Sequence, residues 1–455
     1  MPKDSVPDLL SHATEMLEAQ FTSLPAFDSS VDLAAIAPVL EKVALRLGDN
    51  YPYFHPLYAG QMLKPPHPLA RAAYALAMNI NPNNHARDGG RASSEMEIEA
   101  VREIAGVFGW KDFLGHLTSS GTLANLEALW VAGQLAPGKR IVGSGQAHYT
   151  HQRISAVLKL DYTSVASDHR GRMSIDALEA ELRKGDVGTV VVTLGTTAIG
   201  AVDPLDQILA LRERYAFRIH VDGAYGGYFR LISNALADPA RRAYEAIDQA
   251  DSIVVDPHKH GLQPYGCGCI LFRDPSVGRF YKHDSPYTYF TSKQLHLGEI
   301  SLECSRAGAA AVALWATQRL LPLVPGGEFA IGLAKCRSAA VELNRRLSQD
   351  QARRFHTLGD GPELDIVVWK VNAETPEQSS NLAQKIFVAS ALHDLHLALV
   401  ELPLAWFRPA TGSESASGVA TVTCLRSVLM KPEHEAWLDR IWERLTAACA
   451  DVMGE

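Results

Sequence analysis

The chain has 455 residues, of which 47% are hydrophobic and 21% are charged, and its formal net charge is −8. This composition is ordinary for a soluble globular enzyme with a large buried core. The acidic balance, and the lack of a basic block interleaved with aromatic residues, disfavour binding to nucleic acid or to an anionic membrane surface.

The six cysteines are sparse and scattered, and the C-x-C pair Cys267 and Cys269 lacks the spacing of a zinc ribbon or a thioredoxin motif. We therefore expect reduced thiols and no metal site. The N-terminal segment carries acidic residues among its apolar ones, unlike a signal peptide, and no later segment reaches about 18 uninterrupted apolar residues. These features predict a cytoplasmic protein with a small-molecule substrate.

The first part of the chain differs in pattern from the rest. Residues 5–47 show helical apolar periodicity, and residues 50–68 form an aromatic and proline-rich stretch that is typical of an extended connection. We interpret residues 1–60 as an N-terminal helical arm.

From about residue 95 onward, strand-like and helix-like segments alternate, which indicates an α/β fold with a mostly parallel sheet. A long helix-like segment then leads to the sequence VPGG, and the pattern beyond it changes to α+β. We therefore predict a large α/β domain over residues 61–327 and a smaller α+β domain over residues 328–455. Predicted strands lie at residues 189–194, 217–222, 252–256, 269–273, 365–371 and 422–430.

Polar or small residues come directly after five strands of the predicted large sheet. In an open α/β sheet, ligands bind in the crevice outside the carboxyl ends of the strands, so we expect these residues to meet at one edge. In chain order they are residues 119–122, His148, Thr196 with Thr197, Asp222, and His258 with Lys259.

The stretch TSSGTLANLEAL, which begins at Thr118, has two interpretations. Ser and Thr favour the N-cap of a helix, so these residues could have only a capping role. Alternatively, small residues at a helix start expose backbone N–H groups, and the helix dipole favours a phosphate there. Neither G-x-G-x-x-G nor G-x-x-x-x-G-K-[ST] is present, which argues against a dinucleotide site and a nucleoside triphosphate loop.

Asp222, in HVDGAYGG, could simply cap a strand or a turn. However, the small neighbours Gly223 and Ala224 would let a flat ring lie close to the backbone, and a carboxylate there could hold a ring nitrogen protonated. His148, in GQAHYTH, is compatible with a structural role. The alternative is an imidazole that faces a planar cofactor.

Lys259 lies between two histidines in DPHKHG, where an apolar run ends. It could be a solvated surface charge. At the end of a buried strand, however, a lysine loses solvation, its pKa can fall, and its neutral amine can form a Schiff base. His258 and His260 are unlikely to bind one metal ion, because residues i and i+2 of an extended segment point to opposite faces.

Together, these groups match the requirements of pyridoxal 5′-phosphate. The segments SSGTLAN, GQAHYT, LGTTAIGAVDP, HVDGAYGG and DPHKHG, in this order, resemble motifs of the group II pyridoxal-phosphate-dependent amino acid decarboxylases, which include aromatic amino acid, tyrosine, histidine and glutamate decarboxylases. The resemblance spans residues 50–430 and implies fold type I, with a large mostly parallel α/β domain and a smaller α+β domain.

The resemblance also implies a role for each matching residue. Lys259 becomes the Schiff-base lysine, and His258 a phosphate or hinge contact. Asp222 becomes the partner of the pyridine nitrogen, and Ala224 a contact of the ring face. The remaining implied contacts are Gly121 and Thr122 to the phosphate, His148 stacked on the ring, and Thr196 near the ring.

The family's usual proton donor is a tyrosine on a loop after the lysine, and here YKHDSPYTYFTSKQ offers Tyr287 and Tyr289. Alternatively, both tyrosines are ordinary aromatic residues of a loop. Family members are homodimers with the active site at the subunit interface, so we expect a homodimer.

The sequence indicates the residues that contact the substrate less clearly than those that contact the cofactor. Arg426, in TCLRSVLMKP, resembles the family's C-terminal arginine, and its forked guanidinium could hold a substrate carboxylate, but a structural salt bridge fits equally well. Asn83, Asn84 and His85 lie in a stretch that is similar to the family's at the domain entrance, and they could line the substrate pocket.

The sequence departs from the family pattern at His260, where an apolar residue is common, and at Gly223, where alanine is usual. We predict an L-amino acid decarboxylase that releases carbon dioxide and an amine. Other pyridoxal phosphate reactions on the same scaffold stay open, namely aldol-type cleavage, oxidative deamination to an aldehyde, and transamination. A binding protein that kept only the fold is disfavoured, because every chemical position is filled.

Overall fold

The structure is a computed structural model that describes residues 5–25, 31–86, 88–282, 300–359, 361–407 and 421–454. Its α-helices are α1 (Val6–Glu18), α2 (Leu33–Leu47), α3 (Pro68–Met78), α4 (Arg91–Val107), α5 (Gly121–Leu135), α6 (Thr150–Val157), α7 (Ile175–Leu182), α8 (Leu205–Ala210), α9 (Asp238–Glu245), α10 (Gly308–Leu320), α11 (Glu328–Ser348), α12 (Pro376–Leu392) and α13 (His434–Met453). Its strands are β1 (Leu114–Thr118), β2 (Arg140–Ser144), β3 (Tyr162–Val165), β4 (Val187–Thr193), β5 (Arg218–Asp222), β6 (Ser252–Val255), β7 (Gly268–Phe272), β8 (Phe355–Thr357), β9 (Ile366–Val371), β10 (Ala398–Pro403) and β11 (Thr421–Val428).

The local sequence explains why β4, α5 and α12 form where they do. The strand β4, VGTVVVT, is buried along its whole length, as expected for a β-branched run covered on both faces of a sheet. Ser120 caps α5 by accepting the N–H of Leu123. Thr375 and Gln378 form a reciprocal capping box at the start of α12.

Seven strands form the larger sheet in the order β1-β7-β6-β5-β4-β2-β3. The five strands from β6 to β3 are mutually parallel, and β7 is antiparallel to both of its neighbours. The strand β1 therefore runs in the same direction as the parallel five. This confirms the predicted mostly parallel α/β sheet, and it brings the carboxyl ends of β1, β2, β4, β5 and β6 to one edge.

The smaller sheet is antiparallel, in the order β10-β11-β9-β8. Its hydrophobic core includes Trp369 and residues from α11, α12 and α13. Leu57 and Ala59 belong to the same core, and the backbone of Ala59 is hydrogen-bonded to His396 and Val428. The end of the predicted N-terminal arm thus packs against the C-terminal part of the chain, and the domain limits stay a prediction.

The N-terminal helices pack much less closely than the rest. Every residue of α2 is exposed, and its apolar residues Ile36, Leu40, Val43 and Leu47 recur at helical spacing. Among the described residues, no helix is both long enough and apolar enough to span a membrane.

The core of the smaller sheet provides a test of the packing. Trp369→Ala should lower the free energy of unfolding by about 3–5 kcal/mol, because it removes a fully buried indole and leaves a cavity. Leu392→Ala is the control, since Leu392 is 81% exposed at the end of α12 and should change stability by less than about 0.5 kcal/mol. Urea denaturation followed by circular dichroism measures both, and equal stabilities for the two variants would contradict the packing.

Candidate active site

A cavity of about 190 Å³ lies at the edge where the strands end. Its wall is formed by residues that come after β1, β2, β4, β5 and β6, which is the convergence that the sequence predicted. The lining residues are Ser120, Gly121, Thr122, Asn125, His148, Thr150, Thr193, Gly195, Thr197, Asp222, Ala224, Tyr225, Asp256, His258 and Lys259.

One wall is the turn that starts α5. The first N–H groups of a helix have no intrahelical acceptor, so they face the cavity as anion-binding donors. Gly121 is required there, because a Cβ at this position would lie 2.4 Å from Oδ1 of Asp256. The N–H of Ser119 is already donated to Glu303, at 2.9 Å, whereas Ser120, Gly121 and Thr122 line the cavity and are the turn's candidate phosphate contacts.

Asp222 ends β5 and is buried in the opposite wall. Its Oδ1 accepts the N–H of Ala224 at 3.1 Å, and its Oδ2 lies 2.7 Å from Nε2 of His151, which is itself fully buried. Burial would raise the pKa of Asp222, but the hydrogen bond from His151, together with the charge of Lys259, holds that pKa below its ordinary value. The carboxylate is therefore anionic and fixed in orientation.

Lys259 comes after β6 and places Nζ 3.1 Å from Oδ2 of Asp256. Burial would lower the pKa of Lys259, but the negative charges of Asp256 and Asp222 raise it above its ordinary value. The expectation of a lowered pKa is therefore wrong, because it considered burial and not the neighbouring carboxylates. Lys259 lies in the cavity wall, as a covalent anchor requires, and is not a solvated surface charge.

Two histidines complete the cavity. His148 comes after β2, and its Nδ1 accepts the N–H of Thr150 at 3.2 Å. His258 donates from Nδ1 to the carbonyl of Cys267 at 2.7 Å. Burial lowers the pKa of both imidazoles, so both are neutral at neutral pH.

The flanking histidines of Lys259 diverge, although residues 257–261 form a turn and not the extended segment that the sequence argument assumed. His258 lines the cavity, whereas His260 is fully buried on another side, with Nε2 3.1 Å from Oδ2 of Asp365. Asp365 also accepts the hydroxyl of Tyr225 at 2.6 Å. In the part of the chain that the structure describes, no group of three or more His, Cys, Asp or Glu residues could hold a metal ion.

The two threonines after β4 have different positions. Thr197 lines the cavity. Thr196, which the resemblance placed near the ring, is fully buried behind it, and its Oγ1 accepts the N–H of Ala201 at 3.0 Å. In this structure, Thr197 is therefore the better candidate for contact with a ring.

Arg426 lies on β11 beside the cavity and is almost fully buried. It donates to the carbonyls of Thr197, at 2.7 Å, and Ala198, at 2.9 Å, and to the side chain of Gln61, at 3.0 Å. Among the described residues it forms no ion pair. Arg426 thus holds the loop after β4 against the smaller sheet, and its predicted contact with a substrate carboxylate stays a prediction.

Asn84 lies away from the cavity, in a buried polar cluster. Its amide donates to Glu97 at 2.6 Å, and Glu97 forms a buried ion pair with Arg306. His85 is half-buried and also lies outside the residues that line the cavity. Tyr287 and Tyr289 lie outside the described residues.

The sequence argument missed several residues that line the cavity or contact its carboxylates, notably Asp256, Asn125, Thr193 and His151. Asp256 comes directly after β6 within the DPHKHG segment, so its position after a strand was an available signal. His151 gave no such signal, because its contact with Asp222 joins residues 71 positions apart.

These residues fit pyridoxal 5′-phosphate. A helix start faces an anion-sized space beside Gly121, an anionic carboxylate is available for a ring nitrogen, and a lysine amine lines the same cavity. Oδ1 of Asp256 and Oγ1 of Thr193 are buried without a hydrogen-bond partner among the described residues, as is typical of polar atoms that await a ligand.

Comparison with known proteins agrees with this geometry. Residues 68–358 match the family model described as the pyridoxal-dependent decarboxylase conserved domain. The chain is 29% identical to the L-tyrosine decarboxylase of Enterococcus faecium, over 78% of this chain and 76% of that protein. It is 26% identical to the cysteine sulfinic acid decarboxylase of Mus musculus, over 72% and 71% of the two chains.

The fold is shared with a solved structure, that of mouse CSAD in apo form, with a TM-score of 0.76 and 20% identity over 95% of this chain and 91% of that one. The family match covers more than half of the sequence and includes every strand of the larger sheet. The chain therefore belongs to the pyridoxal-dependent decarboxylase family, and it is a pyridoxal 5′-phosphate-dependent amino acid decarboxylase.

Proposed function

We propose that Lys259 binds the cofactor covalently and that Asp222 holds its ring nitrogen, in the decarboxylation of one L-amino acid. The observation that carries this proposal is that both side chains line one cavity with the start of α5. A phosphate at that helix start, contacted by Gly121 and Thr122, leaves the ring between these two side chains.

When bound, the cofactor supplies an electron sink that accepts the electron pair of the bond broken at Cα. An anionic Asp222 keeps the ring nitrogen protonated, which that role requires. His148 would cover one face of the ring, and Ala224 would lie close to the other, because its small side chain leaves room for a flat group. His258, held by the carbonyl of Cys267, contacts the phosphate side.

The carboxylates beside Lys259 determine the charge of its amine. The contact with Asp256 keeps the amine charged and away from reaction. To act as a nucleophile, Lys259 must first lose this proton. Tyr287 and Tyr289, on the segment after β7, stay the candidates for returning a proton to Cα.

We propose a homodimer as the active form. The apolar side chains of α2 are exposed along its length, and such a face on a helix favours burial against another subunit. All six cysteines lie among the described residues and none forms a disulfide, which supports the proposed cytoplasmic location, where thiols stay reduced.

The covalent anchor can be tested by spectroscopy. Lys259→Ala should lose the visible absorbance of lysine-bound cofactor and all turnover, because no other group forms the covalent link. After borohydride reduction of the parent protein, peptide mass spectrometry should find the cofactor on Lys259. Lys111→Ala, an exposed lysine, is the control and should behave like the parent. An unchanged spectrum in Lys259→Ala would remove Lys259 from its role.

The dimer can be tested on α2. Replacing Leu40 and Val43 together by Glu should shift the protein toward the monomer in light scattering coupled to gel filtration, because charges replace the apolar contact. Lys42→Glu, on a different face of the same helix, is the control for added charge. A parent protein that is already monomeric would overturn the proposal.

A substrate panel tests the reaction itself. The cofactor-loaded protein is incubated with each common L-amino acid, including L-tyrosine and L-aspartate, and with cysteine sulfinic acid, and carbon dioxide and products are measured by mass spectrometry. We expect one amine in equal amount to carbon dioxide, and no product from Lys259→Ala. An aldehyde or a keto acid in place of the amine would support the other pyridoxal phosphate reactions.

A further inference from the structure

The residue that contacts the buried carboxylate of Asp222 most closely is His151, which lies in the first turn of α6. Its side chain is fully buried, and Nε2 lies 2.7 Å from Oδ2 of Asp222. Oδ1 of the same carboxylate accepts the N–H of Ala224. Each oxygen of Asp222 thus has one donor from the chain, and the two donors fix the plane of the carboxylate.

The surroundings of His151 favour one arrangement of its protons. Nδ1 is buried without a hydrogen-bond partner among the described residues, so an N–H there would be unsatisfied. A proton on Nε2, in contrast, gives the imidazole N–H an acceptor and gives the carboxylate a donor. The imidazole therefore donates to Asp222 from Nε2.

A neighbouring histidine does not compete for this position. The ring of His220 lies edge-on to that of His151, with centroids 6.1 Å apart. Its own nitrogens are used by Asn125, at 2.8 Å, and Ser252, at 2.9 Å. Burial lowers the pKa of His220 to about 3, so this ring is neutral and adds no positive charge beside Asp222.

We propose that His151 is a positioning residue of the decarboxylase, which holds Asp222 ionised and directed at the ring nitrogen of the bound cofactor. This inference rests on the proposed role of Asp222. Without the donor, the charged form of Asp222 keeps only the backbone N–H of Ala224, so the carboxylate competes more strongly for the proton of the ring nitrogen. A ring nitrogen without its proton would be a weaker electron sink.

The test compares two substitutions that differ in the donor. His151→Phe keeps a ring of similar size and removes the N–H. His151→Gln keeps an N–H near the position of Nε2. We expect kcat to fall by about ten- to a hundredfold in His151→Phe, in line with the loss of a hydrogen bond to a charged group, with KM little changed. We expect His151→Gln to recover most of the rate.

A readout other than activity separates positioning from packing. In the protein without substrate, the visible absorbance of the bound cofactor is titrated with pH, and His151→Phe should shift the midpoint relative to the parent, whereas His151→Gln should stay close to it. Ile154→Val, on the same helix and buried against other residues, is the control for loosening α6. It should leave the titration unchanged.

The outcomes distinguish this inference from the proposed function. A parental rate and titration in His151→Phe, together with a severe loss of rate in Asp222→Asn, would overturn the role of His151 alone. A parental rate in Asp222→Asn would remove Asp222 from its role and the inference with it. Equal defects in His151→Phe, His151→Gln and Ile154→Val would show that the helix needs only its packing, and they would also overturn the proposal.

Discussion

The site depends on one constraint, which is that five strands of the larger sheet end at the same edge. Each strand leads into a short turn, and each turn contributes a different functional group, so residues far apart in sequence share one cavity of about 190 Å³. The antiparallel strand β7 returns the chain between β1 and β6. Because β1 keeps the common direction, the helix after it starts at the same edge as Asp222 and Lys259.

Charge balance in the cavity results from that convergence. Two carboxylates, Asp222 and Asp256, are brought close to one lysine, and their attraction outweighs the cost of burying its ammonium group. The two carboxylates differ in their own partners. Asp222 is held by His151 and a backbone N–H, whereas Oδ1 of Asp256 is left without a partner among the described residues. Each oxygen of Asp222 thus accepts a donor from the chain, whereas Asp256 is paired through Oδ2 with Lys259.

The smaller sheet contributes contacts that support the cavity from behind. Arg426 holds the carbonyls of the loop after β4, and Asp365 is hydrogen-bonded to Tyr225 and paired with His260, the residue next to Lys259. Side chains on both sides of the cavity are therefore connected to the C-terminal part of the chain. His260, which departs from the family pattern, thus contacts a residue of the C-terminal part of the chain.

The sequence by itself determined the alternation of strands and helices and the mostly parallel sheet, because burial periodicity is a local signal. It also indicated the cofactor, from residues placed directly after strands and from the family resemblance, but it did not reveal β3, β8 or β10. It also placed Gly121, His148, Asp222, Ala224, His258 and Lys259 in one site. Only the tertiary structure decided that Thr197 and not Thr196 faces the cavity, that the pKa of Lys259 is raised, and that Asn84 and Arg426 are occupied by contacts within the chain. These outcomes depend on side-chain direction and on partners distant in sequence, such as His151 for Asp222, and no local pattern records such distances.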